Sequence, residues 1–129
     1  MATIQDSLDA VMTIEGAVGA AIVDYDSGVT LGTIGGESLD MELAGAGNTK
    51  FILSSLNVLQ ENGIDDSVED VLVTLGNQYH LTRFSEAHDT IFTYLILNRG
   101  DSNLVLARRQ LAEIEADLQL DGDIENGDL

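Results

Sequence analysis

Few residues in this chain are placed as if for chemistry. His80 falls on an expected strand face with Gln78 and Thr82, and His88 in a polar loop beside Glu86 and Asp89. An imidazole near a carboxylate can ligate zinc or move protons near neutral pH. The spacing matches no established ligand pattern, so a hydrogen-bonded His80 and a solvated His88 are expected instead. The stretch Gly45-Ala46-Gly47-Asn48-Thr49-Lys50 has the composition of a phosphate loop. Such a loop needs glycine directly before the lysine and Ser or Thr directly after it; here Thr49 precedes and Phe51 follows. Asp24-Tyr25-Asp26-Ser27-Gly28 opens like a calcium loop, but its glycine comes one place early and the twelfth position is Gly35, not Glu. A hairpin turn accounts for it better. Asp121, Asp123 and Glu125 could hold a divalent ion only weakly, with no flanking helix to shape a cage. The absence of cysteine excludes disulfides and thiolate sites. No catalytic residue, cofactor site or metal site is therefore expected, and the chain reads as a binding module rather than an enzyme.

The elements that would carry these residues are legible from periodicity. Ala17–Ile34 reads as a hairpin. Val18, Ala20, Ile22 and Asp24 alternate with Gly19, Ala21, Val23 and Tyr25, apolar on both faces, as in a strand covered twice. Before it, Thr3 and Asp6 can form a capping box for a helix ending near Ile14. After Gly35-Gly36, Ser38 is the expected cap of a long helix from about Leu39 to Asn62, with Gly63 as its terminator. Met41, Ala44, Ile52, Leu56 and Leu59 give that helix a broad apolar arc, widened by Phe51 and Val58. Gly45 and Gly47 are unfavourable in mid-helix, by about 1 kcal/mol each. They imply either close approach to a second helix or a partner, or else a kink or a frayed first turn.

Three strands follow. Val68–Leu75 and Gln78–Phe84 are joined by a Gly76-Asn77 turn, and Thr90–Asn98 is apolar on both faces and therefore central. A last helix, capped by Asp101 or Ser102, carries one seam through Leu104, Ala107, Leu111, Ile114 and Leu118. The order is α-β-β-α-β-β-β-α. It predicts an α+β sandwich around a five-stranded antiparallel sheet with helices on both faces. Val68–Leu75 starts a meander and has no Lys or Pro, so as an edge strand it would invite pairing with another chain.

The chain is 129 residues long and carries 23 acidic against five basic side chains, a net charge of −18. One domain is expected at this length. Residues 1–119 would form it and 120–129 an acidic disordered tail. The field disfavours nucleic acid and anionic membrane surfaces. It suits a basic protein partner or a saline cytoplasm. The lack of an early basic segment and of a spanning apolar run fits a cytoplasmic protein.

The stretch GAVGAAIVDYDSGVTLGTIGG, the AGNT at Ala46–Thr49, the strand DVLVTLGNQYHL and the segment YLILNRGDSNLVLARRQL together resemble the roadblock family, which includes the roadblock light chains of dynein. The resemblance spans roughly Ile4 to Leu118. It implies the long helix on one face of the sheet and the two terminal helices on the other. It further implies a homodimer whose shared surface is Gly47, Phe51 and Val58 on the helix, with Val71 and Val73 on the following strand. Bacterial relatives work beside Ras-like small GTPases, some as activators of GTP hydrolysis. The expected role is a non-catalytic regulator or adaptor of a small GTPase. The alternative is a nucleotide-independent dimerisation scaffold for a basic protein.

Overall fold

A computed structural model describes residues 2–37 and 39–120. The elements follow the expected order: α1 (Ile4–Val11), β1 (Ala17–Asp24), β2 (Val29–Gly35), α2 (Met41–Glu61), β3 (Asp70–Thr74), β4 (Gln78–Phe84), β5 (Ile91–Asn98) and α3 (Leu104–Ala116). The strands form one antiparallel sheet in the order β2-β1-β5-β4-β3. β5 is thus central, as its two-sided apolar pattern requires, and β3 is an edge.

The sheet separates two cores. Ala20 and Ile22 of β1 join Ile91, Leu95 and Leu97 of β5 beneath α1 and α3, with Leu8, Val11, Ala107 and Leu111 from the helices. Ala21 and Val23 join Phe92, Tyr94 and Ile96 beneath α2, with Met41 and Ile52. This is the helix distribution expected. Val18 departs from simple alternation. The β1–β5 register shifts between Ala17 and Gly19, so Val18 packs with the α2-side core instead of with Ala20. A bulge inserts one residue and turns the side chains before it to the other face.

Capping explains where the helices begin and end. The Thr3–Asp6 capping box is present in both directions. α1 stops at Val11, earlier than Ile14, because the chain tightens: Thr13 N–H donates to Ala10 and Ile14 N–H to Val11. Asp40 caps α2, its carboxylate accepting from Leu43 N–H at 3.0 Å; the expected cap Ser38 lies outside the described residues. α2 closes in a Schellman turn, with Gly63 at φ +70° and bonds from Gly63 to Gln60 and Ile64 to Leu59. Asn103 caps α3, bonding Leu106 N–H at 3.0 Å, so neither Asp101 nor Ser102 has that role. Ser102 instead packs under Gly16, where an added Cβ would lie 2.7 Å from the Ser102 Cβ.

β3 is shorter than the expected Val68–Leu75. Leu120 packs against the α1/α3 core. The acidic segment 121–129, with Asp121, Asp123 and Glu125, lies outside the described residues.

Candidate interaction surface

α2 lies on the sheet through Met41, Gly45, Thr49 and Ile52, a line with helical spacing. Gly45 is the point of closest approach. A Cβ built there would meet Ala21 Cβ and Val23 Cγ2, each at 3.1 Å. A side chain at position 45 would wedge helix and sheet apart, so this glycine is explained by packing within the chain. The helix continues without a break through Gly45 and Gly47. Asn48 ties it to the sheet by donating to Thr82 Oγ1 at 2.9 Å.

The exposed surface of α2 carries several large apolar side chains. Leu43 is 69% exposed, Phe51 47%, Leu53 45% and Val58 54%. Leu43, Gly47, Phe51 and Val58 recur at spacings of four, four and seven and so form one stripe. Gly47 lies in its middle and a Cβ there would touch nothing within 4 Å. Ser54 and Ser55 fall in the seven-residue interval between Phe51 and Val58, so the strip is apolar toward its N-terminal half and mixed beyond it.

Val71 and Val73 face the same side of the sheet. They pair with Thr82 and His80 in register, and Val71 packs at the margin of the α2-side core. Among the described residues no further strand pairs with the outer edge of β3. Asp70 does little to guard that edge, because it is clamped by Arg108 of α3 at 2.9 and 3.2 Å. The structure therefore places all five residues singled out by sequence on the α2 side of the molecule, in two groups: the outward helix stripe and the edge strand. Sequence reasoning missed Leu43 and Leu53, whose leucines read equally well as core.

His80 is held beside Val73. Its Nδ1 accepts from the Tyr94 hydroxyl at 2.8 Å, and its Nε2 meets Gln78 Oε1 at 2.9 Å. Because that amide oxygen can only accept, Nε2 carries a proton and donates to it. Burial lowers the His80 pKa below its ordinary 6.5. The unfolded chain then binds the proton more readily. The contribution to stability is complete above pH 6.5 and falls as pH drops through 6.5 toward the lower folded value. Melting temperature is expected to decline between pH 7 and 5, with His80→Gln showing a shallower decline; identical slopes would refute the assignment.

His88 is anchored rather than solvated. Its Nε2 donates to the Leu118 carbonyl at 3.1 Å and its backbone N–H to Ser85 Oγ at 3.0 Å. That contact lies toward α3, whereas His80 faces α2, so the two are not brought together. Among the described residues, no group of three or more His, Asp or Glu could hold a metal ion. Gly45–Lys50 is helix interior, with its amides committed to the helix, and is no phosphate cradle. Asp24–Gly28 is a hairpin turn. Asp26 N–H bonds Asp24 Oδ1 at 3.0 Å, and Gly28 takes φ +77°. Among the described residues no helix is long and apolar enough to cross a membrane.

No family model matches the sequence, and no curated protein matches it. Solved structures do match. Myxococcus xanthus MglB superposes with a TM-score of 0.76 at 12% identity, over 87% of this chain and 81% of that one. A roadblock/LC7 domain from Streptomyces avermitilis gives 0.69 at 14%, over 83% and 86%. An MglB in a tetrameric arrangement gives 0.63 at 12%, over 87% of each chain. With two helices on one face of the β2-β1-β5-β4-β3 sheet and the long helix on the other, this chain has the roadblock-family fold.

Proposed function

We propose that the protein is a homodimeric, non-catalytic regulator or adaptor of a Ras-like small GTPase. Two copies meet through Gly47, Phe51 and Val58 of α2 and through Val71 and Val73 of β3. The observation that carries this reading is the exposed apolar stripe of α2 beside an unpaired strand edge. Either feature alone is a liability in solution; joined across a two-fold axis, each covers the other. The resemblance of the sequence to the roadblock family supports a small GTPase as the partner class, and the tetrameric arrangement of an MglB with this fold supports association between copies. The test is capture of Ras-like GTPases loaded with GTP or GDP. Preferential capture of one loaded state supports a regulator, and capture of neither argues against it.

The net charge of −18 favours a second reading, a scaffold that recruits a basic protein whatever the nucleotide state. Its binding would be indifferent to nucleotide and would weaken steeply as salt shortens the screening length to about 3 Å near 1 M.

Gly47→Ala separates the dimer from a lone helix face. An exposed helical glycine replaced by alanine should stabilise an isolated chain by about 1 kcal/mol. In the dimer the added methyl falls where the two helices approach. The expected result is a higher melting temperature at low protein concentration with weaker self-association. A gain in stability with unchanged association would place Gly47 outside the interface.

A further inference from the structure

One flank of α3 is open. Arg108 fixes its direction, since it holds Asp70 of the edge strand β3 at 2.9 Å. Val105, Arg109, Ala112 and Ala116 follow one another at spacings of four, three and four, and continue the side of the helix that Arg108 marks. Gln110 and Asp117 lie round the helix from it, lining the cleft between α1 and α3. Val105 is 73% exposed, and Arg109 and Ala116 are exposed as well. We propose that this flank is the docking site for the acidic segment 121–129 of the same chain, which lies outside the described residues.

Three observations point to that occupant. The first is charge. The segment holds Asp121, Asp123, Glu125 and Asp128 and no basic residue. Most of the chain repels it, with five basic side chains against 23 acidic. Three of the five are engaged: Arg83 with Glu86, Arg108 with Asp70, and Arg99 with the Leu75 carbonyl and the Tyr79 ring. Lys50 belongs to α2, on the other face of the sheet. Arg109 is left, with no hydrogen bond or ion pair among the described residues. The second observation is reach. Leu118 N–H bonds back to Glu115, so the segment begins beside the last turn of α3. From Ala116 back to Arg109 is about 10 Å along the helix, and passing round the helix adds about 10 Å. The nine residues of the segment span about 30 Å when extended. The third is the apolar content of both partners. Ile124 interrupts the acidic run and Leu129 follows it, while Val105, Ala112 and Ala116 flank the arginines. An exposed ion pair alone contributes little, but a short tether holds the segment at about millimolar local concentration. Docking here uses neither α2 nor the outer edge of β3, and so stands apart from the dimer and GTPase reading.

The chain has no cysteine, so an introduced pair reports contact without background. A disulfide forms only when the two Cα atoms come within about 7 Å. The test is oxidation of the full chain carrying Ala112→Cys and Ile124→Cys, followed on non-reducing gels at low salt. The control pair is Gln110→Cys with Ile124→Cys, on the side of the helix facing α1. Positions 109, 110 and 112 are at least partly exposed, so the reduced variants keep the fold. The first pair is expected to close faster than the control by about fivefold, the scale of one exposed ion pair. Adding Arg109→Gln, or raising salt to about 1 M, should bring it down to the control rate. Equal rates for the two pairs at low salt overturn the proposal, as does a preference that survives Arg109→Gln. A linked species of twice the chain mass would place the segment on a second copy, and overturns the assignment to the same chain.

Discussion

Phe51→Glu should convert the proposed dimer to monomer. Phe51 is 47% exposed and sits between Gly47 and Val58 on the outward stripe of α2, so its replacement removes little from the chain's own core. In a two-fold dimer each substitution occurs twice. A central aromatic anchor contributes about 2 kcal/mol or more to an interface, and a carboxylate buried without a partner adds a desolvation penalty. Two copies give about 4 kcal/mol at least, or about a thousandfold in dissociation constant. Light scattering over a range of protein concentrations reads this directly. The expected result is the dimer mass for the parent chain and the monomer mass for the variant, with similar far-UV circular dichroism. Retention of the parent mass by a folded variant would remove the α2 stripe from the interface. Salt adds a second axis, since −18 per chain opposes association until screened. Salt should strengthen the parent dimer and leave the variant monomeric.

Phe92→Ala should bring the largest loss of folding stability. Phe92 is fully buried on the central strand. It stacks on Tyr25 at 6.1 Å between centroids and belongs to the core beneath α2. Tyr25 is in turn fixed by its hydroxyl bond to the Asp89 carbonyl at 2.7 Å and by an edge contact with Phe84. That framework cannot collapse readily into the vacated volume. Truncating a buried phenylalanine costs about 3–5 kcal/mol, against a total of about 5–15 kcal/mol for a typical domain. Thermal unfolding should shift down by about 10–20 °C. Phe92→Leu, which retains much of the volume, should lose less than half as much. Equal losses from both would show that ring stacking, rather than filled volume, is what β5 contributes.

Legibility differed between fold and surface for a physical reason. A strand repeats every two residues and a helix every 3.6, so burial leaves a pattern wherever both partners of an element are apolar. Thr90–Asn98 betrayed a central position because both of its faces are filled, and the Thr3–Asp6 box and Gly63 are local chemistry that needs no partner. The caps of α2 and α3 were misplaced by one or two residues, since Asp40 and Asn103 compete with equally competent neighbours. Val18 moved because a bulge is invisible in alternation. The α2 surface was only half legible. Phe51 and Val58 stood at the edge of an apolar arc, but Gly45 and Thr49, which touch the sheet, did not look like core. Leu43 and Leu53, which do, face outward.

By itself, then, the sequence determined the number, order and type of the elements and the central place of β5. These follow from periodicity, turn chemistry and composition, all of which act over a few residues. Only the tertiary structure decided which side of α2 is left uncovered, that His80 is held between Tyr94 and Gln78, and that Asp70 is drawn away from the β3 edge by Arg108. Each of these joins residues separated along the chain or chooses one helix face over another. That choice is made by close packing between whole elements, where a glycine at the contact outweighs a leucine elsewhere on the helix.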